Sequence, residues 1–135
     1  MEDIKGYTLS PVNIETAVDV NGRLKDIDIE PDTENLTYAT KLRIQNILRE
    51  MFYTDTEISR VDFRIYVTSE PIKNCYKFRS KGNIFTRCGY TFNFEIANNG
   101  TDEELYEQVL KIMYYSGIGH NTSKGFGMIE INKRR

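Results

Sequence analysis

The sequence predicts an α+β fold, an antiparallel sheet with two helices on one face in the order βαββαβ. Three features carry this reading: stretches of period-two alternation, two stretches of helical periodicity set between them, and glycine- or asparagine-bearing turns at the joins. The 135 residues suffice for one domain with a real core, spanning 1–135, and are too few for two complete domains.

The elements follow in order. From Tyr7 to Val18, β-type residues alternate loosely (Tyr7, Leu9, Val12, Ile14) across Ser10-Pro11. Proline lacks an amide donor, so this strand is expected at a sheet edge or with a bulge. Asn21-Gly22 signals a turn, and Leu24, Ile27 and Ile29 give a short second strand. Leu36, Thr40, Ile44, Ile47, Leu48, Met51 and Phe52 then fall on one helical stripe, with Asp32 or Thr33 available as the cap. Val61, Phe63, Ile65 and Val67 alternate with polar neighbours, as a half-buried strand does. Tyr76 and Phe78 alternate with Lys77 and Arg79. The turn-like Ser80-Lys81-Gly82-Asn83 follows, and a long alternating run places Cys88, Tyr90, Phe92, Phe94 and Ile96 on one face. This reads as a hairpin with positively charged arms and tip. Thr101 with Glu104 suggests a capping box for a helix whose inner face is Leu105, Val109, Ile112, Met113 and Ser116, with Gly117 as its stop. Phe126 to Ile131 closes the chain as a strand. That order is the ferredoxin-like one, plus a basic hairpin and a glycine-rich loop before the last strand.

Composition excludes several classes. Hydrophobic residues make up 39% and aromatics 12%, too apolar for a disordered chain. No apolar run is long enough to span a membrane. The opening MEDIKGYTLS lacks a basic-then-apolar secretion pattern, so a cytoplasmic location is expected. Cys75 and Cys88 can pair in principle; a reducing compartment favours two free, buried thiols. Two cysteines and one histidine are too few for a structural zinc site. No carboxylate cluster suggests magnesium, so neither metal nor cofactor is expected.

The net charge of −2 hides a segregation. Residues 1–36 hold nine acids and three bases, whereas residues 71–94 hold Lys73, Lys77, Arg79, Lys81 and Arg87 with no acid. The chain ends in Lys133, Arg134 and Arg135. Such a chain can present a basic face to a polyanion despite its near-neutral total. The alternative for the hairpin is a charged edge that blocks strand-to-strand aggregation.

Four glycines lie within the eleven residues from Gly117 to Gly127 (Gly117, Gly119, Gly125, Gly127), with His120, Asn121, Thr122, Ser123 and Lys124 between the pairs and Phe126 inside the second. Glycines allow positive φ and close backbone approach. Exposed amides in such a loop, together with the polar side chains, can bind phosphate oxygens. The plain alternative is a tight helix-to-strand connection in which the glycines serve packing only. Nucleotide loops run from strand to helix. This one leaves a helix and enters a strand, so it is not a nucleotide fold.

The pattern Gly-x-Gly, five residues, Gly-Phe-Gly, between a helix and a final strand, resembles the signature loop of the RAMP superfamily. Within it the chain is similar to the C-terminal half of the Cas-six family of CRISPR repeat-processing endoribonucleases. Tyr7-Thr8-Leu9-Ser10-Pro11, Leu42 to Phe52 and Leu105 to Ile131 resemble the opening strand, first helix and closing segment of that half. The resemblance implies a metal-independent reaction in which a 2′-OH attacks the adjacent phosphate, commonly with a histidine as base. In that family this histidine usually belongs to an N-terminal ferredoxin-like domain, to which nothing in this sequence corresponds. His120 is the only imidazole and the weak candidate for catalysis. The resemblance also implies that Lys73, Lys77, Arg79, Lys81 and Arg87 of the hairpin grip an RNA stem, together with the loop residues Gly117, Gly119, His120, Asn121, Thr122, Ser123, Lys124, Gly125, Phe126 and Gly127. The expected partners are CRISPR repeat RNA or crRNA and CRISPR effector proteins. The expected role is a non-catalytic RAMP module acting as a decoy or inhibitor of CRISPR immunity. The alternatives are an active endoribonuclease working as a homodimer, and an accessory effector subunit.

Overall fold

The computed structural model describes residues 4–132. Glu2, Asp3 and the terminal Lys133, Arg134 and Arg135, counted in the charge pattern above, lie outside them.

Among the described residues, eight strands and three α-helices follow one another as β1 (Ile4–Thr8), β2 (Ile14–Val20), β3 (Arg23–Ile29), α1 (Thr33–Glu50), α2 (Asp55–Ser59), β4 (Phe63–Val67), β5 (Ile72–Ser80), β6 (Asn83–Thr91), β7 (Asn93–Asn98), α3 (Glu103–Ser116) and β8 (Ile129–Asn132). Four strands form the central sheet in the order β4-β7-β1-β8, every neighbouring pair antiparallel. Together with α1 and α3 they make the ferredoxin-like βαββαβ frame. Two hairpins are inserted into it: β2–β3 between β1 and α1, and β5–β6 between β4 and β7.

Both hairpins turn on two residues with positive φ, Asn21-Gly22 and Lys81-Gly82. This matches the right-handed strand twist and fixes the register, Val20 opposite Arg23 and Ser80 opposite Asn83. The core lies between sheet and helices. Phe63, Ile65, Phe94, Ile96, Ile129 and Ile131 point into it from the strands, meeting Leu36, Ile44 and Leu48 of α1 and Leu105, Val109 and Met113 of α3.

Several expectations are corrected. The first alternating stretch is two strands, and β1 lies inside the sheet between β7 and β8 rather than at an edge. Pro11 follows β1, where the chain leaves the sheet, so its missing amide interrupts no ladder. The α1 stripe ends before Met51 and Phe52. Phe52 has φ 67 and is 94% exposed. Asp32 caps α1, and its side chain and that of Asn35 accept each other's backbone amides. Thr101 does not cap α3. Its hydroxyl donates to the Asp62 carbonyl and accepts the Asp62 amide, both at 2.8 Å, and α3 begins after Asp102. The long alternating run divides at Phe92 into β6 of the hairpin and β7 of the sheet.

Cys75 and Cys88 are neither free nor buried. They form a disulfide, with Cys75 exposed and Cys88 half-buried. The register places them directly opposite each other across β5–β6, with Cα atoms 4.0 Å apart.

Candidate nucleic-acid interface

The β5–β6 register sorts the hairpin side chains onto two faces, because successive residues of a strand point to opposite sides. Lys73, Lys77 and Arg79 share one face with Cys75, Ile84 and Cys88; Tyr76, Phe78, Phe85 and Arg87 share the other. Lys81 occupies the turn. Lys73, Lys77, Arg79 and Lys81 are exposed and enter no ion pair among the described residues. The predicted basic hairpin is therefore basic on one face and aromatic on the other.

Arg87 is placed differently from the other four bases. Its Nη1 lies 3.5 Å from Glu15 Oε1 and 3.8 Å from Asp28 Oδ1, with the side chain only 26% exposed. Glu15 and Asp28 are directly opposite in β2–β3, a like-charge pairing that is unfavourable on its own. The guanidinium offsets it and joins the two hairpins.

Around this ion pair lies a polar network that the sequence did not disclose. Asn13 is fully buried (0% exposed). Its Nδ2 donates to Asp28 Oδ1 (2.9 Å) and the Cys88 carbonyl (2.8 Å), and its Oδ1 accepts from Asn121 Nδ2 (2.7 Å). Asn121 also donates to Glu15 Oε1, and the Cys88 amide donates to Asp28 Oδ2 (2.7 Å). In the sequence Asn13 is one polar residue of the Tyr7–Val18 stretch; only the fold shows it joining three segments.

The glycine-rich loop docks on this network. Gly117, in the position that stops α3, has φ 83, and Gly119, Gly125 and Gly127 also have positive φ. A Cβ on Gly117 would lie 2.7 Å from the Gly127 carbonyl oxygen, one on Gly119 2.7 Å from that of Asn13, and one on Gly127 2.0 Å from that of Ile118. These three glycines permit backbone-to-backbone packing. Gly125 has open space around it. The loop amides are largely used within the fold. Ile118 donates to Gly127, Gly119 to Thr40 Oγ1, His120 to Asn13, Lys124 to Asn121, Gly125 to Thr122 and Gly127 to Pro11. What the loop offers a ligand is thus chiefly the side chains of Thr122, Ser123 and Lys124.

His120 is half-buried, and its Nδ1 accepts the Glu15 amide at 2.9 Å. The Nδ1 lone pair is engaged by that amide. In this arrangement the imidazole anchors the loop to β2.

Arg43, outside the predicted apolar stripe of α1, also supports the loop. Its guanidinium donates to the Ser116 carbonyl (3.2 Å), to Ser116 Oγ (3.0 Å) and to the Gly117 carbonyl, the negative end of α3. Burial holds its pKa below the ordinary arginine value.

Hairpin and loop converge on aromatic rings. Phe126 packs at 5.8 Å from Phe78 and 6.1 Å edge-on from Tyr76, ring centre to ring centre. Two adjoining depressions of about 350 Å³ and 480 Å³ run between hairpin and loop, with Phe78 and Lys124 lining both. Among the described residues, no three of His, Cys, Asp and Glu are grouped to hold a metal ion, and no helix is long and apolar enough to cross a membrane.

The sequence pattern of one protein family, described as CRISPR associated protein Cas6, C-terminal, matches residues 2–131. No sequence among curated proteins matches the chain. Among solved structures, the chain is similar to one titled an RAMP protein binding different RNA substrates, with TM-score 0.72 and 23% identity over 98% of this chain and 50% of that one. A Cas6-related protein from Pyrococcus furiosus gives 0.70 and 21% over 100% and 50%, and a CRISPR associated protein Cas6 gives 0.67 and 20% over 98% and 49%. The chain spans about half the length of the solved structures it matches.

Proposed function

The chain belongs to the Cas6 C-terminal family, and from that premise we propose that it binds CRISPR repeat RNA through the β5–β6 hairpin and the glycine-rich loop without cleaving it. The observation that carries this reading is that Lys77 and Arg79 stand exposed together on one face of the hairpin while Lys124 lines the groove beside its other face, none of them paired with a carboxylate among the described residues. Lys73 and Lys81 extend the same charge along the hairpin. Phosphate contacts of this kind position an RNA and make its affinity salt-dependent. The proposal of binding without cleavage rests on His120, whose Nδ1 accepts the Glu15 amide.

A protein that holds the repeat without cutting it competes with one that cuts, and this is the decoy role we assign to it. The first experiment is a salt titration of affinity for a repeat-hairpin RNA. Lys77→Ala/Arg79→Ala should lower the slope of log K against log salt by about 1.5, at roughly 0.7–0.9 per phosphate contact. An unchanged slope would remove the hairpin from the interface. The second adds the protein to repeat RNA with a complete Cas6 enzyme. The decoy reading expects slower cleavage with the wild type and little effect from the double variant; equal cleavage rates with and without the protein refute it.

A further inference from the structure

The geometry points to a stacking site for two consecutive unpaired nucleotides in the groove between the aromatic face of the hairpin and the glycine-rich loop, an inference that rests on the RNA-binding reading above. Packing accounts for part of the aromatic cluster. Phe126 is buried, and Phe78 leans on it. Packing leaves Phe85 46% exposed, and leaves Tyr76 44% exposed despite its edge-on contact with Phe126, both on the same hairpin face as Phe78. An exposed ring alone means little. Here the two rings border adjoining depressions of about 350 Å³ and 480 Å³, each within the range of small-ligand pockets.

The charges at the rim choose the ligand. Lys124 lines both depressions and has no carboxylate partner among the described residues; Lys77 and Arg79 border one depression each, from strand positions whose side chains lie on the opposite face. Apolar π-faces at the centre with cations at the edge suit a base flanked by its phosphates. Bases inside a duplex are already stacked on each other, so the ligand is unpaired RNA. The other polar residues at these depressions are Ser10, Ser80 and the ion-paired Arg87; the inferred recognition is chiefly by ring stacking, which is sequence-tolerant.

The test uses the intact protein and a repeat hairpin carrying a two-nucleotide single-stranded flank, with 2-aminopurine in the flank as the probe, beside the same hairpin made blunt. Phe85→Leu and Tyr76→Leu are the variants, each with a thermal melt to confirm folding. The inference expects quenching of 2-aminopurine on binding. It also expects a loss of about 5- to 150-fold in affinity for the flanked RNA in the variants, with an unchanged salt slope and little change for the blunt hairpin. If RNA binds with a salt slope that Lys77→Ala/Arg79→Ala reduces, yet the probe is not quenched and Phe85→Leu binds as the wild type does, the stacking site is refuted while the RNA reading stands. If the wild type binds neither RNA at low salt, both fall. Tighter binding of an acidic, aromatic-bearing peptide than of either RNA, lost in Phe85→Leu, would assign the groove to a protein and overturn the inference.

Discussion

Gly127→Ala and Gly125→Ala separate packing from ligand contact within one loop. Both positions have positive φ, 78 and 93, so an alanine at either incurs the left-handed penalty of about 1–2 kcal/mol. At Gly125 that is the whole cost, because a Cβ there meets nothing within 4 Å. At Gly127 the new carbon lies 2.0 Å from the Ile118 carbonyl oxygen. The contact falls on the segment where the Ile118 amide donates to the Gly127 carbonyl at 2.9 Å, so the two backbones must separate. Overpacking of this sort adds about 1–3 kcal/mol. Gly127→Ala should therefore destabilise by about 2–5 kcal/mol, a large share of the roughly 5–15 kcal/mol that holds a domain folded. Urea unfolding followed by circular dichroism reads the difference as a shift in midpoint at constant slope. Equal midpoints for the two variants, within about 0.5 kcal/mol, would refute the packing role assigned to Gly127.

The remaining predictions concern the anchors of the same region. His120→Ala removes the acceptor of the Glu15 amide and should cost about 1–3 kcal/mol in urea unfolding; His120→Asn can offer Oδ1 in its place and should recover much of it, and no loss in the alanine variant would refute the anchoring role. Reducing the Cys75–Cys88 bridge should lower stability by about 2–3 kcal/mol, an effect that vanishes in Cys75→Ser/Cys88→Ser; two titratable thiols in the unreduced, unfolded protein would refute the pairing. The Glu57 carboxylate is held below its ordinary range, first by the Thr54 amide and then by the Thr54 hydroxyl. A lowered pKa means that its support of α2 is fully present above the ordinary glutamate value of about 4.3 and disappears as pH falls through the lower folded value. Amide exchange in Asp55–Ser59 should accelerate over that window in the wild type and not in Glu57→Gln.

The frame was legible because local signals agreed with it: alternation in β4 and β7, an apolar stripe in α3, and asparagine-glycine or lysine-glycine turns that admit positive φ. The disulfide was legible as well, by a step of register. A two-residue turn at Lys81-Gly82 pairs Ser80 with Asn83, and five residues outward along each arm stand Cys75 and Cys88. The composition argument for free thiols considered the compartment and not the pairing. The polar network was not legible. Asn13, Glu15, Asp28 and Asn121 come from segments up to 108 positions apart, and no periodicity links them. Nor did four closely spaced glycines reveal that three of them serve backbone packing, since φ and clearance are properties of the folded chain.

The charge segregation also changes meaning in three dimensions. Read along the chain, an acidic opening third and a basic hairpin are two surfaces that could meet two different partners. The fold brings them together at their roots, where Arg87 lies between Glu15 and Asp28 and the Cys88 amide donates to Asp28. Acids at the root therefore cancel the base nearest to them and fix the angle at which the second hairpin leaves the sheet. A polyanion would meet the charge that survives this cancellation: Lys73, Lys77, Arg79 and Lys81 along one face and the turn, and Lys124 across the groove. Part of the acidic third thus works inside the protein, as the counter-charge that holds the basic hairpin in place. Acids outside this root, such as Asp26 and Glu30, are exposed.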